Sequence, residues 1–163
     1  MHHAVEAPSA ANEFYPFLAE QLTYLIGDET DRIAALANAS ALFQIYLPNI
    51  NWVGFYLVRG DELVLGPFQG KPACVRIRFG KGVCGTAAKE DRTLLVPDVQ
   101  AFPGHIACDT ESRSELVIPL HVNRQVIGVL DIDSPTVARF ATEDARGLLL
   151  STEVLERVLQ RAF

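Results

Sequence analysis

Cys74, Cys84 and Cys108 are the three cysteines of this 163-residue chain, ten and then twenty-four positions apart. None forms a C-x-x-C pair. With His105 three residues before Cys108, a Cys3His zinc site is formally available, but structural zinc sites pair their ligands at two-to-four-residue spacing, so no metal is assigned. An odd number of thiols also excludes a full disulfide framework and turns attention to redox chemistry. Cys108 lies in a polar segment beside Asp109, Glu111 and Ser112, where nothing apolar requires a cysteine, and Cys74 follows Pro72 at the start of an alternating stretch. Loop-borne thiols of this kind suit a nucleophile and a resolving partner.

Carboxylates supply the second candidate chemistry. Asp131 and Asp133 are two apart on an expected strand and therefore share a face, and Glu115 opens the partner strand of the same hairpin. If that face looks into a cavity, three acidic groups converge there; otherwise they are solvated strand ends. Trp52 and Tyr56, four apart on another strand, also share a face and offer either aromatic walls for a small organic ligand or ordinary core packing. Gly80-Lys81-Gly82-Val83-Cys84-Gly85 matches the G-x-G-x-x-G pattern of dinucleotide sites. The preceding strand alternates instead of running apolar, and repeated βαβ units are missing, so these glycines are expected to shape a tight strand-to-helix turn whose N–H groups line at most a small anion hollow. A helix N-terminus at Cys84 would lower its pKa.

The elements that must position these residues follow from periodicity. Apolar residues recur at helical spacing over 12–25 and 31–47, with Gly27 closing the first helix, Asp28 available to cap the second and Pro48 ending it. A hairpin is expected at 52–58 and 62–65, a strand at 74–79, a short helix at 83–89, a short strand at 94–96, a long loop over 98–113 and a second hairpin at 115–122 and 125–133. A last helix starts at Thr142, with an apolar stripe of Ala145, Leu148, Leu149, Leu155 and Leu159. Strands bunched together between terminal helices predict an α+β fold, a central antiparallel sheet with the N- and C-terminal helices packed on one face.

Composition narrows the function classes. The net charge of -6 lacks the clustered Lys and Arg that phosphate neutralisation demands, and Arg76 with Arg78 reads as one solvated strand face, so no nucleic-acid partner is expected. No apolar run is long enough to span a membrane, and no secretory signal is evident, which points to a reducing, cytoplasmic setting. The length suits a single domain at 12–163 after a flexible N-terminus at 1–11.

Asn51 to Tyr56, Leu65 to Cys74, Gly80 to Gly85, His105 to Asp109 and Leu130 to Ser134, taken together, resemble the free methionine-R-sulfoxide reductases, which are single-domain GAF proteins. The likeness includes all three cysteines in order, which generic GAF sensor domains lack. It implies a GAF-like fold and reduction of free methionine-R-sulfoxide through sulfenic acid and disulfide intermediates, with thioredoxin as reductant and no cofactor. By motif match, Cys108 would be the nucleophile, Cys74 the resolving thiol and Cys84 an alternative resolver. Glu115 and Asp133 would polarise the S–O group, Asp131 would support the substrate, including its ammonium, and Trp52 and Tyr56 would wall the ε-methyl. A homodimer is compatible with the resemblance. The competing readings are a non-catalytic GAF module that binds a small ligand and a cysteine redox sensor acting on a partner protein.

Overall fold

The computed structural model describes residues 5–105 and 110–162. Helices α1 (Ala11–Ile26) and α2 (Arg32–Tyr46) precede strands β1 (Trp52–Arg59), β2 (Glu62–Gln69) and β3 (Arg76–Arg78). Helix α3 (Gly82–Glu90) leads to β4 (Leu94–Val96), a single 3-10 turn at Val99–Ala101, β5 (Ser114–Val122), β6 (Gln125–Ser134) and α4 (Thr142–Arg161). The six strands form one antiparallel sheet in the order β3-β2-β1-β6-β5-β4.

Alternation of side chains divides the sheet into two faces. Val53, Phe55, Leu57, Leu116, Ile118, Leu120, Leu130 and Ile132 pack with α1, α2 and α4 in one buried cluster. The opposite residues of the same strands, including Trp52, Tyr56, Val117 and Val129, pack with α3 in a second cluster. Cover on both faces explains why β1 and β6 read as nearly continuous apolar runs although the sheet is antiparallel.

Four local expectations need correction. The cap of α2 is Asp31, whose Oδ1 accepts from the N–H groups of Ile33 and Ala34 at 2.9 Å; Asp28 lies too far upstream of the first turn. Leu149 is 44% exposed and stands outside the buried stripe of α4, because the packed line runs through Leu148, Thr152, Leu155 and Leu159. The strand expected at 74–79 contracts to Arg76–Arg78, since the Cys74 carbonyl accepts from the Tyr56 hydroxyl at 2.9 Å instead of entering a ladder. The arm expected to end at Leu65 continues to Gln69, with a register shift against β1 between Gly54 and Tyr56. Arg76 and Arg78 are exposed on either side of buried Ile77, as alternation requires.

The strand-to-helix turn needs its glycines. Gly80 and Gly82 have φ of +76° and +60°, where a Cβ is strained. A Cβ on Gly85 would stand 2.3 Å from the Arg78 carbonyl oxygen, so α3 lies directly on the end of β3 and brings Cys84 against the sheet.

Candidate functional site

On the α3 face of the sheet lies a small, partly open pocket with a cavity volume of about 40 Å³. Its floor is the end of the β1-β6-β5 trio. Glu115 stands directly opposite Asp133 in the β5-β6 register, and on the other side of β6, Trp52 faces Asp133 while Gly54 faces Asp131. Gly54 is required there, because a Cβ would meet Phe68 Cβ at 2.3 Å and the Trp52 ring at 2.8 Å.

The three carboxylates therefore line one cavity together, with Glu115 and Asp131 each 6% exposed. Burial pushes the Glu115 carboxyl well above its ordinary range, and the charges of Asp131 and Asp133 push it further. Burial also raises Asp131 from 3.8 to about 6, against the opposing hydrogen bonds of Cys84 and Glu115. Close like charges in a low-dielectric cavity retain a proton, so the floor carries a carboxylic acid at neutral pH.

Cys84 is a free, buried thiol in the first turn of α3, with Sγ donating toward Glu115 Oε1 at 3.8 Å. The lowered pKa expected from the helix N-terminus is not found. Burial raises this thiol well above its ordinary value, and Asp131 and Glu115 raise it further. Desolvation and two facing carboxylates outweigh the partial charge of a helix end, which is worth roughly 0.3–1 kcal/mol.

Trp52 and Tyr56 form one aromatic wall, their rings stacked 6.0 Å apart at 24°, with Phe68 behind Trp52 at 5.2 Å. Their polar tips hold backbone. Trp52 Nε1 donates to the Lys71 carbonyl at 3.1 Å and the Tyr56 hydroxyl to that of Cys74, so both aromatics tether the segment that carries Cys74. Cys74 is half-buried and disulfide-bonded. Cys108 lies outside the described residues, together with Ile106, Ala107 and Asp109.

His105 closes one side, its Nε2 3.8 Å from Glu115 Oε2. Burial lowers its pKa below 6.5, so at neutral pH the imidazole is uncharged and this contact is not an ion pair. Ser112 also lines the pocket and accepts from Asn51 Nδ2 at 3.1 Å. Lys81, Gly82 and Val83 bring the N-terminus of α3 to the cavity. Ser112 escapes sequence reasoning because a loop serine carries no periodic signal.

Comparison with known proteins agrees with this architecture. The GAF domain model matches residues 25–158. The free methionine-R-sulfoxide reductase of Escherichia coli is 54% identical over 147 residues, covering 90% of this chain and 89% of that protein. The protein of the same name from Saccharomyces cerevisiae is 44% identical, covering 81% of this chain and 80% of its own length. The X-ray structure of free methionine-R-sulfoxide reductase from Neisseria meningitidis in complex with its substrate superposes with a TM-score of 0.93 at 44% identity, covering 99% of this chain and 98% of that one. With a GAF fold that puts buried carboxylates, an aromatic wall and a thiol around one pocket, and with relatives alike over nearly their whole length, the chain belongs to the free methionine-R-sulfoxide reductase family of GAF proteins.

Proposed function

We propose that this chain reduces free L-methionine-R-sulfoxide to L-methionine by thiol chemistry. The observation that carries the reading is the proton-retaining carboxylate cluster of Glu115, Asp131 and Asp133 beneath an aromatic wall. A sulfoxide is a poor electrophile until its oxygen is protonated or strongly hydrogen-bonded, and a buried acid of raised pKa is suited to that work. Glu115 and Asp133, facing each other across β5 and β6, hold the S–O oxygen; Asp131 supports the substrate and its ammonium; Trp52 and Tyr56 flank the ε-methyl.

In the reaction, the Cys108 thiolate attacks the sulfoxide sulfur. The oxygen, protonated by the acid cluster, ends on the cysteine as a sulfenic acid, and methionine leaves with its sulfur reduced by two electrons. The Cys74 thiol then displaces water from the sulfenic acid to form a Cys74–Cys108 disulfide, and a dithiol such as thioredoxin returns both thiols. The bonded state of Cys74, with Cys84 left free, supports this pairing. The raised pKa of Cys84 leaves little thiolate at neutral pH and favours it as a secondary resolver at most. A reducing compartment such as the cytoplasm suits this cycle, the single unit spans 12–163, and a homodimer is the assembly to test by sedimentation.

Incubating the reduced chain with L-methionine-R-sulfoxide and dithiothreitol should release free methionine, whereas the S epimer and a peptide-bound sulfoxide should not react, because a peptide would have to thread the cavity. Glu115→Gln and Asp133→Asn keep shape while removing an acid, and should each lower methionine formation by roughly 10²–10⁴-fold. Binding without release of methionine would identify a ligand module instead, and near-normal rates in both variants would mean that the acid cluster is not the proton source.

A further inference from the structure

Cys84, Glu115 and Asp131 each place one ligand atom of the pocket within 4.8 Å of the others, and all three residues are buried. The thiol sulfur is 3.8 Å from Glu115 Oε1. Around a tetrahedral zinc, with bonds of about 2.3 Å to sulfur and 2.0–2.2 Å to oxygen, neighbouring donors stand roughly 3.5 Å apart. Side-chain movements of about an ångström therefore bring this set onto one ion. A second observation points the same way: Asp131 Oδ1 is fully buried in the wall of this pocket without a hydrogen-bond partner among the described residues. A buried carboxylate oxygen in that condition bears a desolvation penalty that a cation removes. His105 also lines the pocket, with its Nε2 3.8 Å from the other Glu115 oxygen.

We propose that the pocket of the disulfide-bonded chain takes one zinc-class divalent cation on Cys84 Sγ, Glu115 and Asp131, with His105 lining the same pocket, and that the bound ion excludes sulfoxide. The donor set decides the class of ion. A sulfur with two carboxylate oxygens and an imidazole suits zinc or cobalt, while magnesium and calcium demand six or more oxygens. Binding is an exchange of protons for metal: the thiol proton, with any proton still on the two carboxylates, leaves to water, and nothing is oxidised or reduced. Exclusion of sulfoxide follows because Glu115 and Asp131 serve both ligands; that half rests on the proposed reductase reading, whereas binding of the ion does not. The bonded Cys74 is not a ligand, so the ion and the disulfide coexist.

The test uses the full disulfide-bonded chain, stripped with EDTA and titrated with cobalt(II). One equivalent should produce a thiolate-to-cobalt charge-transfer band in the near ultraviolet, which zinc then abolishes by displacement. N-terminal histidines cannot give that band. Cys84→Ser should lose it, and Asp131→Asn should weaken cobalt binding about tenfold or more. In the unaltered protein, zinc should slow alkylation of the remaining thiol, an arm that needs no variant. Absence of the band, its persistence in Cys84→Ser, or alkylation indifferent to zinc overturns the site. Zinc bound to the disulfide-bonded chain with binding of methionine-R-sulfoxide to that same chain undiminished overturns the exclusion. The metal-free methionine assay decides the reductase reading separately.

Discussion

Replacing Asp131 by Asn should make the protein gain stability relative to the wild type as pH rises. In the folded state, burial holds this carboxyl at about 6 against its ordinary value of 3.8. A folded pKa above the unfolded one means that the native state binds the proton more tightly. Its stabilising effect is complete below about pH 4 and lost as pH rises through about 6. The shift of roughly two pH units corresponds to about 3 kcal/mol at 1.36 kcal/mol per unit. An amide in the same place does not titrate. The stability of Asp131→Asn minus that of the wild type should therefore climb by about 2 kcal/mol between about pH 4 and pH 7, the rest of the change falling below about pH 4, and most of the climb should come before about pH 6.5. Any fixed effect of exchanging an oxygen for an NH2 group cancels in that difference. Relieving the charge beside Glu115 adds to the gain, because Asp131 is one of the groups that hold the Glu115 carboxyl high. Reversible urea unfolding of both proteins in EDTA, with the disulfide intact and the slope against denaturant unchanged, measures it. Parallel stability curves across this window would refute the buried, proton-retaining floor. The same variant should bind free sulfoxide more weakly.

The cysteines should separate in single turnovers: Cys108→Ser should release no methionine, while Cys74→Ser should release about one equivalent per chain and stall, and a burst from Cys108→Ser would transfer the nucleophile's role to Cys84. Tyr56→Phe deletes the hydroxyl that donates to the Cys74 carbonyl at 2.9 Å, so disulfide formation should slow about tenfold, for a loss of ~1–2 kcal/mol, and more than methionine release does. Quenched-flow thiol counting checks it, and an equal slowing of both steps would refute the tether. His121 is paired with Asp91 at 2.7 Å through Nε2 and with Glu156 at 3.0 Å through Nδ1. Burial pulls its pKa down, but these two hydrogen bonds outweigh it and the net shift is upward from 6.5. Its stabilising contribution is therefore complete below about pH 6.5 and fades as pH rises through the folded value. An imidazole NMR titration with a midpoint at or below 6.5 would contradict this, and His121→Gln should flatten the pH dependence of unfolding in that range.

What the sequence disclosed, it disclosed through short-range pattern. The terminal helices, both hairpins and the strand at 94–96 follow from period, and the shared face of Asp131 and Asp133 follows from a strand period of two. Pairing of β1 with β6 was not legible, since it joins segments far apart in the chain. It is this pairing that sets Trp52 against Asp133. The pKa of Cys84 was misjudged for the same reason: the helix end is visible in local sequence, but the carboxylates that oppose it arrive from β5 and β6. The contraction of β3 depended on a tyrosine eighteen positions away. The family motifs drew the distant pieces together, although they carry no distances.

The central place of β6 also fixes the order in which the molecule can be made. α1, α2, β1, β2, β3 and α3 all leave the ribosome before β5 and β6, whose pairing completes the middle of the sheet and buries Cys84. At about 5–20 residues per second, the stretch from Cys84 to Ser134 takes roughly 3–10 s to synthesise. For that interval the nascent chain presents bare thiols and the unpaired edge of β1, an apolar strand open to mispairing. A protein whose chemistry concerns oxidised sulfur would thus be most vulnerable to oxidants before its own pocket exists. Pulse-labelled chains given peroxide during synthesis should lose more Cys84 thiol than folded chains given the same dose, and equal losses would show that burial by β5 and β6 offers no such protection.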